Sequence, residues 1–290
     1  MKKIIKVSLI LAAVMIPVGI CLLVVGSILG GGNAVGVYSD GRFGFKEGHS
    51  FDYSDSLENM KSIDVDVSNS KIVVERSTDH TVQVEIHMNG IISDPVISAE
   101  NDKLQIKEKD SGFLMNFNLF GFMNGQELND TVVIRIPEEV RMEDVKLDTG
   151  NGTIELSGLH TDNLDLHTSN GRIELDQVDV DTQTSVKTSN GAIICKGVFD
   201  GTTNLKSSNG EISVEGSLTG SVTCKTSNGA INYTEQSLKR TEYYISADTS
   251  NGSIRINGTK VEDDYTENVG APNSVDLKTS NGSISADFMN

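Results

Sequence analysis

The chain has no tryptophan, four prolines and three cysteines, and aromatic residues make up only 5% of it. That supply suits the core of a large helical or α/β domain poorly. Several catalytic signatures are also missing. There is no HExxH, no tight Cys/His cluster, no GxSxG and no P-loop, so the sequence offers no zinc-hydrolase, α/β-hydrolase or nucleotide-binding motif. The histidines, His49, His80, His87, His160 and His167, are scattered. No Gly-Gly-x-Gly-x-Asp nonapeptide of a calcium-binding roll occurs. Glycine, by contrast, is plentiful at 28 residues. Many glycines with few prolines and aromatics fit a protein of short strands and tight turns.

Acidic residues are missing from the first 32 positions. Lys2, Lys3 and Lys6 precede an uncharged apolar run over residues 7–30. As a helix, that run would be about 36 Å long, enough for a hydrocarbon core of about 30 Å. Pro17 is tolerable in a bilayer helix. Residues 1–30 are therefore expected to form one transmembrane signal anchor. Its lysines would hold the N-terminus in the cytoplasm and place the rest outside the cell membrane. A cleaved signal peptide is the alternative, but its apolar core is usually shorter. Ile20 before Cys21 argues against lipoprotein processing. Beyond residue 32 lie all 41 acids and 21 of the 24 basic residues, a formal charge of −20. Such a domain repels nucleic acid, so no nucleic-acid partner is expected.

What the chain does contain is a repeat. "DTGNGTIEL", "HTSNGRIEL", "KTSNGAIIC", "KSSNGEISV", "KTSNGAINY", "DTSNGSIRI" and "KTSNGSISA" centre on Asn151, Asn170, Asn190, Asn209, Asn228, Asn251 and Asn281. The intervals are 19 to 20 residues, then 23 and 30. A fixed period of this length is the mark of a stacked array. Three residues after each Asn stands isoleucine: Ile154, Ile173, Ile193, Ile212, Ile231, Ile254 and Ile284. Four before it stand Leu147, Leu166, Val186, Leu205, Cys224, Ala247 and Leu277. Polar residues alternate with them, so a short strand flanks each side of every turn. An antiparallel meander shares this parity. Near-identity of seven turns favours a β-solenoid, because stacked turns let asparagine side chains bond as a ladder. The glycine after each Asn is expected to supply a positive φ. The extra residues in the two long intervals are expected to emerge opposite the turn edge. Cys195 and Cys224 fall in inward columns two coils apart, too far for a disulfide, and read as free, Leu-like residues.

The fold expected is all-β: a single-chain β-solenoid of about seven 19–20-residue coils over residues 146–290, with a β-rich lead-in or cap over 61–145. Residues 31–60 read as a flexible spacer. Within the lead-in, "SIDVDVSNSKIVVER" looks like a degenerate copy. Residues 112–125, "GFLMNFNLFGFMNG", carry no charge and four phenylalanines, Phe113, Phe117, Phe120 and Phe122. They read either as a plug on an open solenoid end or as a membrane or partner contact.

An N-terminal apolar segment, "KSIDVDVSNSKIVVE", "VVIRIPEEV" and serial (K/D)TSNGxI together resemble a known family. It is the bacterial β-strand-repeat family called putative adhesins, a domain of unknown function that includes Lia-type cell-envelope stress proteins. The resemblance spans residues 61–290. It implies a non-enzymatic, extracytoplasmic envelope protein and brings no catalytic, cofactor or metal residues. The alternative is a solenoid enzyme acting on wall or extracellular polysaccharide, for which the acidic run Glu262, Asp263 and Asp264 is the only candidate. One outward column is unusual. Asp148, His167, Lys187, Lys206, Lys225, Asp248 and Lys278 stand three residues before each Asn, and three successive lysines repel unless compensated. An anionic wall polymer or a membrane-protein partner would fit that surface.

Overall fold

Every isoleucine of the +3 column is at most 1% exposed, and the column four before the Asn is as fully buried. The alternation read from the repeat is therefore the partition between core and solvent. The computed structural model describes residues 34–37, 43–46, 49–91, 93–108, 114–115 and 130–290. The expected anchor at residues 1–30 and the side chains of Phe113, Phe117, Phe120 and Phe122 lie outside them. Among the described residues, no helix is long and apolar enough to cross a membrane.

The pairing excludes a meander. Strands before the turn pair in parallel and in register with their counterparts, as in Leu147↔Leu166, Val186↔Leu205 and Leu205↔Cys224. Strands after the turn do the same, as in Ile193↔Ile212 and Ile212↔Ile231. Each coil is one strand of each kind, joined at the Asn turn. Coils are numbered by position in the stack. Coils 1 to 6 are residues 62–77, 142–157, 160–180, 183–199, 202–218 and 221–239. One strand, Ile173–Thr188, carries the chain from coil 3 into coil 4.

Two expectations are corrected here. Among the described residues the coils number eight, because residues 62–77 form a full coil with Asn69-Ser70 at its turn. The stack also departs from chain order after coil 6. Ser221–Lys225 pairs with Asn273–Thr279, and Ile231–Lys239 with Ile284–Met289. Coil 7 is thus the C-terminal segment, residues 273–289. Coil 8, residues 243–256, precedes it in sequence but lies beyond it in space. The chain skips one position, builds the last coil, and returns to fill the gap.

A local change in the pattern marks the skip. Gly197 and Gly216 occupy matching corners of coils 4 and 5, where an added Cβ would lie 1.9 Å from a carbonyl oxygen of the coil before. Glu235 stands opposite Gly216 in coil 6. Its carboxylate is buried, and it accepts from Leu218 N at 3.0 Å, Ser237 N at 2.7 Å, Leu238 N at 3.1 Å and Tyr243 Oη at 2.8 Å. Burial, then the bond to Glu235, raises the Tyr243 phenol far above its usual range, which keeps it a donor. Phe288 of coil 7 packs between Tyr233 of coil 6 and Tyr243 of coil 8, at ring separations of 5.3 and 5.4 Å. Ala286 lies beside the large Tyr233 and makes room for it.

Open stack ends would expose unpaired strand edges. At coil 1, Lys103–Lys107 and Thr131–Pro137 add parallel strands, and antiparallel strands follow them. At coil 8, the longest interval between copies turns back as Thr259–Val261 and Asp264–Glu267, each antiparallel to a coil 8 strand. That insertion closes the end rather than only bulging from the side. All eight coils belong to one compact unit, residues 52–88, 95–109 and 129–290. A smaller unit, residues 1–51, 89–94 and 110–128, contains a three-stranded antiparallel sheet with Ala34–Val37 between Phe43–Lys46 and Leu114–Met115. The segment read as a flexible spacer therefore holds strands, including His49–Leu57.

Candidate functional site

Two ladders hold the turn edge in register. In stack order, Asn151 donates to Asn69, Asn170 to Asn151, Asn190 to Asn170, Asn209 to Asn190, Asn228 to Asn209, Asn281 to Asn228 and Asn251 to Asn281, all at 2.6–2.8 Å. Each amide from Asn151 to Asn281 in the stack donates to the coil before it and accepts from the coil after. The second ladder lies beneath and is buried. Thr168 Oγ1 donates to the Gly152 carbonyl at 3.1 Å and accepts from Gly171 N of its own turn at 3.0 Å. Thr149, Thr188, Ser207, Thr226, Thr279 and Thr249 donate in the same way. A threonine or serine at this inward position in every copy was the available sequence signal.

The glycine of each turn has a different reason from the one expected. Gly152, Gly171, Gly191, Gly210, Gly229, Gly252 and Gly282 are not among the positive-φ residues. They are required because a Cβ on any of them would lie 1.7–2.0 Å from the corresponding carbonyl oxygen of the adjacent coil. Ser70 opens the ladder, and among the described residues no coil turn precedes it.

Beside this edge runs the basic column. The exchanged coil order alters it. In space it reads Asp66, Asp148, His167, Lys187, Lys206, Lys225, Lys278, Asp248. Four lysines are contiguous, where chain order would have broken the row with Asp248 after the third. Lys225 pairs with Asp276 at 2.7 Å, Lys278 with Asp248, and His167 with Asp148 at 3.0 Å. The Asp248 bond raises the Lys278 ammonium above its usual value. Lys187 and Lys206 are exposed and make no ion pair among the described residues. The lysines and the hydroxyls of Ser189, Ser208, Ser227 and Ser280 line an open groove of about 590 Å³.

The other candidates are less organised. Glu262 and Asp263 are exposed in the link between the two strands closing coil 8, and Asp264, also exposed, opens the second strand opposite Asp248. Arg141 bridges Asp162 and Asp181, and His160 Nε2 lies 3.1 Å from Asp181, a network of surface side chains. Cys195 and Cys224 are free and buried. Burial, then the charge of Asp276, pushes the Cys224 thiol up to about 12, and burial pushes Cys195 higher still, which keeps both inert. Among the described residues, no three His, Cys, Asp or Glu side chains are grouped to hold a metal.

The family described as Toastrack DUF4097 matches residues 60–288, nearly the whole stack with its end strands. The chain belongs to this family. No curated protein matches this Toastrack chain. Among solved structures, it is similar to a "putative cell adhesion protein" of Clostridium sporogenes at 14% identity, covering 82% of this chain and 99% of that one, with a TM-score of 0.35. It is similar to a "putative adhesin" of Bacteroides fragilis at 13% identity, covering 82% and 97%, with a TM-score of 0.39. A "putative lipid binding protein" of Parabacteroides distasonis gives 14% identity, 84% and 98% coverage and a TM-score of 0.42. With TM-scores below 0.5, these likenesses assign no ligand and no activity to the Toastrack domain.

Proposed function

We infer that this Toastrack protein is a non-enzymatic interaction module of the cell envelope, adhesin-like in that it presents a rigid polar face to an extracellular partner. In this reading, residues 1–30 anchor the chain in the cell membrane as a single span with the N-terminus inside, and the solenoid stands outside. An association with envelope stress fits the same placement. One observation carries the reading. Seven asparagine bonds and a buried hydroxyl ladder fix a flat edge whose side chains repeat at the strand spacing of about 4.8 Å. Such an edge is organised for display.

The test has two parts. Protease added to intact cells should remove the solenoid and leave a short anchored stub; full protection contradicts the topology. Full-length protein in uncharged detergent should be retained on isolated envelope fractions and release no product from purified wall glycans. Glycan cleavage would favour the polysaccharide-enzyme alternative, and absence of retention would contradict the interaction module.

A further inference from the structure

We propose that the row Lys187, Lys206, Lys225 and Lys278 is a binding site for a linear, flexible polyanion of the phosphodiester-linked wall-polymer class. The proposal rests on the interaction-module reading and names the partner of that module.

The first argument is charge. The domain is strongly acidic, yet four ammonium groups share one face over about 14 Å, three strand spacings. Among the described residues, Lys187 and Lys206 lack carboxylate partners. Two unit charges about 5 Å apart in water repel by nearly 1 kcal/mol. A bound anion at each interval removes that repulsion. The remaining outward residues of the coil 4 to 6 strands are uncharged, Gln183, Thr202, Asn204, Ser221 and Thr223, with Ser185 buried; in the coil 7 strand Asp276 is the one acid, and it pairs with Lys225 at 2.7 Å.

The second argument is the coil order. Had coil 8 followed coil 6, Asp248 would lie against Lys225. The interposed C-terminal coil places Lys278 there and moves Asp248 to the end of the row. The exchange lengthens a continuous cationic track.

The third argument selects the polymer. Asp148 and Asp248 bound the row along the stack, and the columns beside it hold no further cation, with Ser189, Ser208, Ser227 and Ser280 on one side and Ser185, Asn204, Thr223 and Asp276 on the other, so the track is one column wide. A duplex or a bilayer surface would meet the surrounding acids. Single-stranded nucleic acid is held chiefly by stacking on aromatic side chains, and the outward positions of these strands in coils 4 to 7 hold no aromatic residue. A slim chain whose phosphates repeat along its length, with sugar or polyol hydroxyls between them, matches ammonium groups flanked by serine hydroxyls.

The experiment uses full-length protein in uncharged detergent, with labelled long-chain inorganic polyphosphate and poly(glycerol phosphate) as probes. Native protein should bind both, with affinity falling as salt rises. Lys187→Gln with Lys206→Gln should weaken binding at least tenfold and reduce the log–log salt slope by about 1.4, the share of two cations. Lys196→Gln with Lys260→Gln removes the same charge from other exposed positions and should leave binding within about twofold. No binding by the native protein overturns the proposal, as does equal weakening by both pairs. Equal competition by orthophosphate points to a single-ion site and also overturns it. Comparable affinity for duplex DNA or anionic vesicles overturns the polymer assignment. Envelope retention separates this failure from that of the module. If the Lys187/Lys206 variant is retained as well as native protein, the row is not the contact, but the module reading stands. If native protein is not retained, the module reading fails.

Discussion

A methyl group at position 191 would lie 1.7 Å from the Gly171 carbonyl oxygen, and both belong to backbone fixed by the ladders. Nothing flexible can yield there. Gly258 presents the opposite case, with φ of 73° and open space around it. Gly258→Ala should cost about 1 kcal/mol through backbone strain alone. Gly191→Ala should cost about 3 kcal/mol or more, since two coils must separate. Thermal unfolding of the full chain checks this, and equal losses would contradict the close-approach account. Thr184 and Thr203 make the reverse prediction. Their hydroxyls are buried without a hydrogen-bond partner, in a column where the coils on either side carry Leu164 and Val222. Thr184→Val and Thr203→Val should each stabilise by about 1 kcal/mol; lower melting temperatures would show that these hydroxyls are satisfied. The inward and outward columns were legible in the sequence because their period is two. The glycine at each turn was legible but its reason was not, because at Gly191 a carbonyl 20 residues away in the chain imposes it.

Each coil is held by its neighbours, so the weakest element should be the one that breaks the pattern. That element is the crossing from coil 6 to coil 8, and Glu235 fixes it. Glu235→Ala would leave three backbone N–H groups to find new partners, while the Tyr243 hydroxyl keeps the Leu218 carbonyl. The expected loss is about 2–4 kcal/mol. Glu235→Gln retains an acceptor oxygen and should lose less. Hydrogen exchange should place the early opening in coils 6 to 8, where Phe288 bridges the two tyrosines. Uniform loss of protection along the stack would contradict a localised role. The sequence carried a trace of this: a glutamate where the two preceding copies have glycine, and intervals of 23 and 30 residues. Those features mark a departure from the period, but the period cannot say where the chain returns. The degenerate first copy was legible through its Asn69, and the antiparallel strands that close coil 8 were hidden in an acidic, turn-rich stretch.

For the whole molecule, the coil order joins the fold to the proposed polyanion site, because it decides whether the lysine row holds three members or four. Disulfide mapping reads that order directly. Ser274 Oγ lies 3.1 Å from Ser221 Oγ across coils 7 and 6, and Tyr244 occupies the matching position one coil further on. Neighbouring parallel strands lie about 4.8 Å apart, within the Cα separation of a disulfide, and strands two coils apart lie beyond it. Cys195 and Cys224 are buried and should not interfere, and Cys21 is replaced by serine in both variants. Full-length protein carrying Ser221→Cys and Ser274→Cys should oxidise to the 221–274 bridge in nearly all molecules without loss of melting temperature, and Ser221→Cys with Tyr244→Cys should stay reduced under the same conditions. Bridging of 221 to 244, with 221 and 274 left free, would show that the coils stack in chain order and would contradict the account.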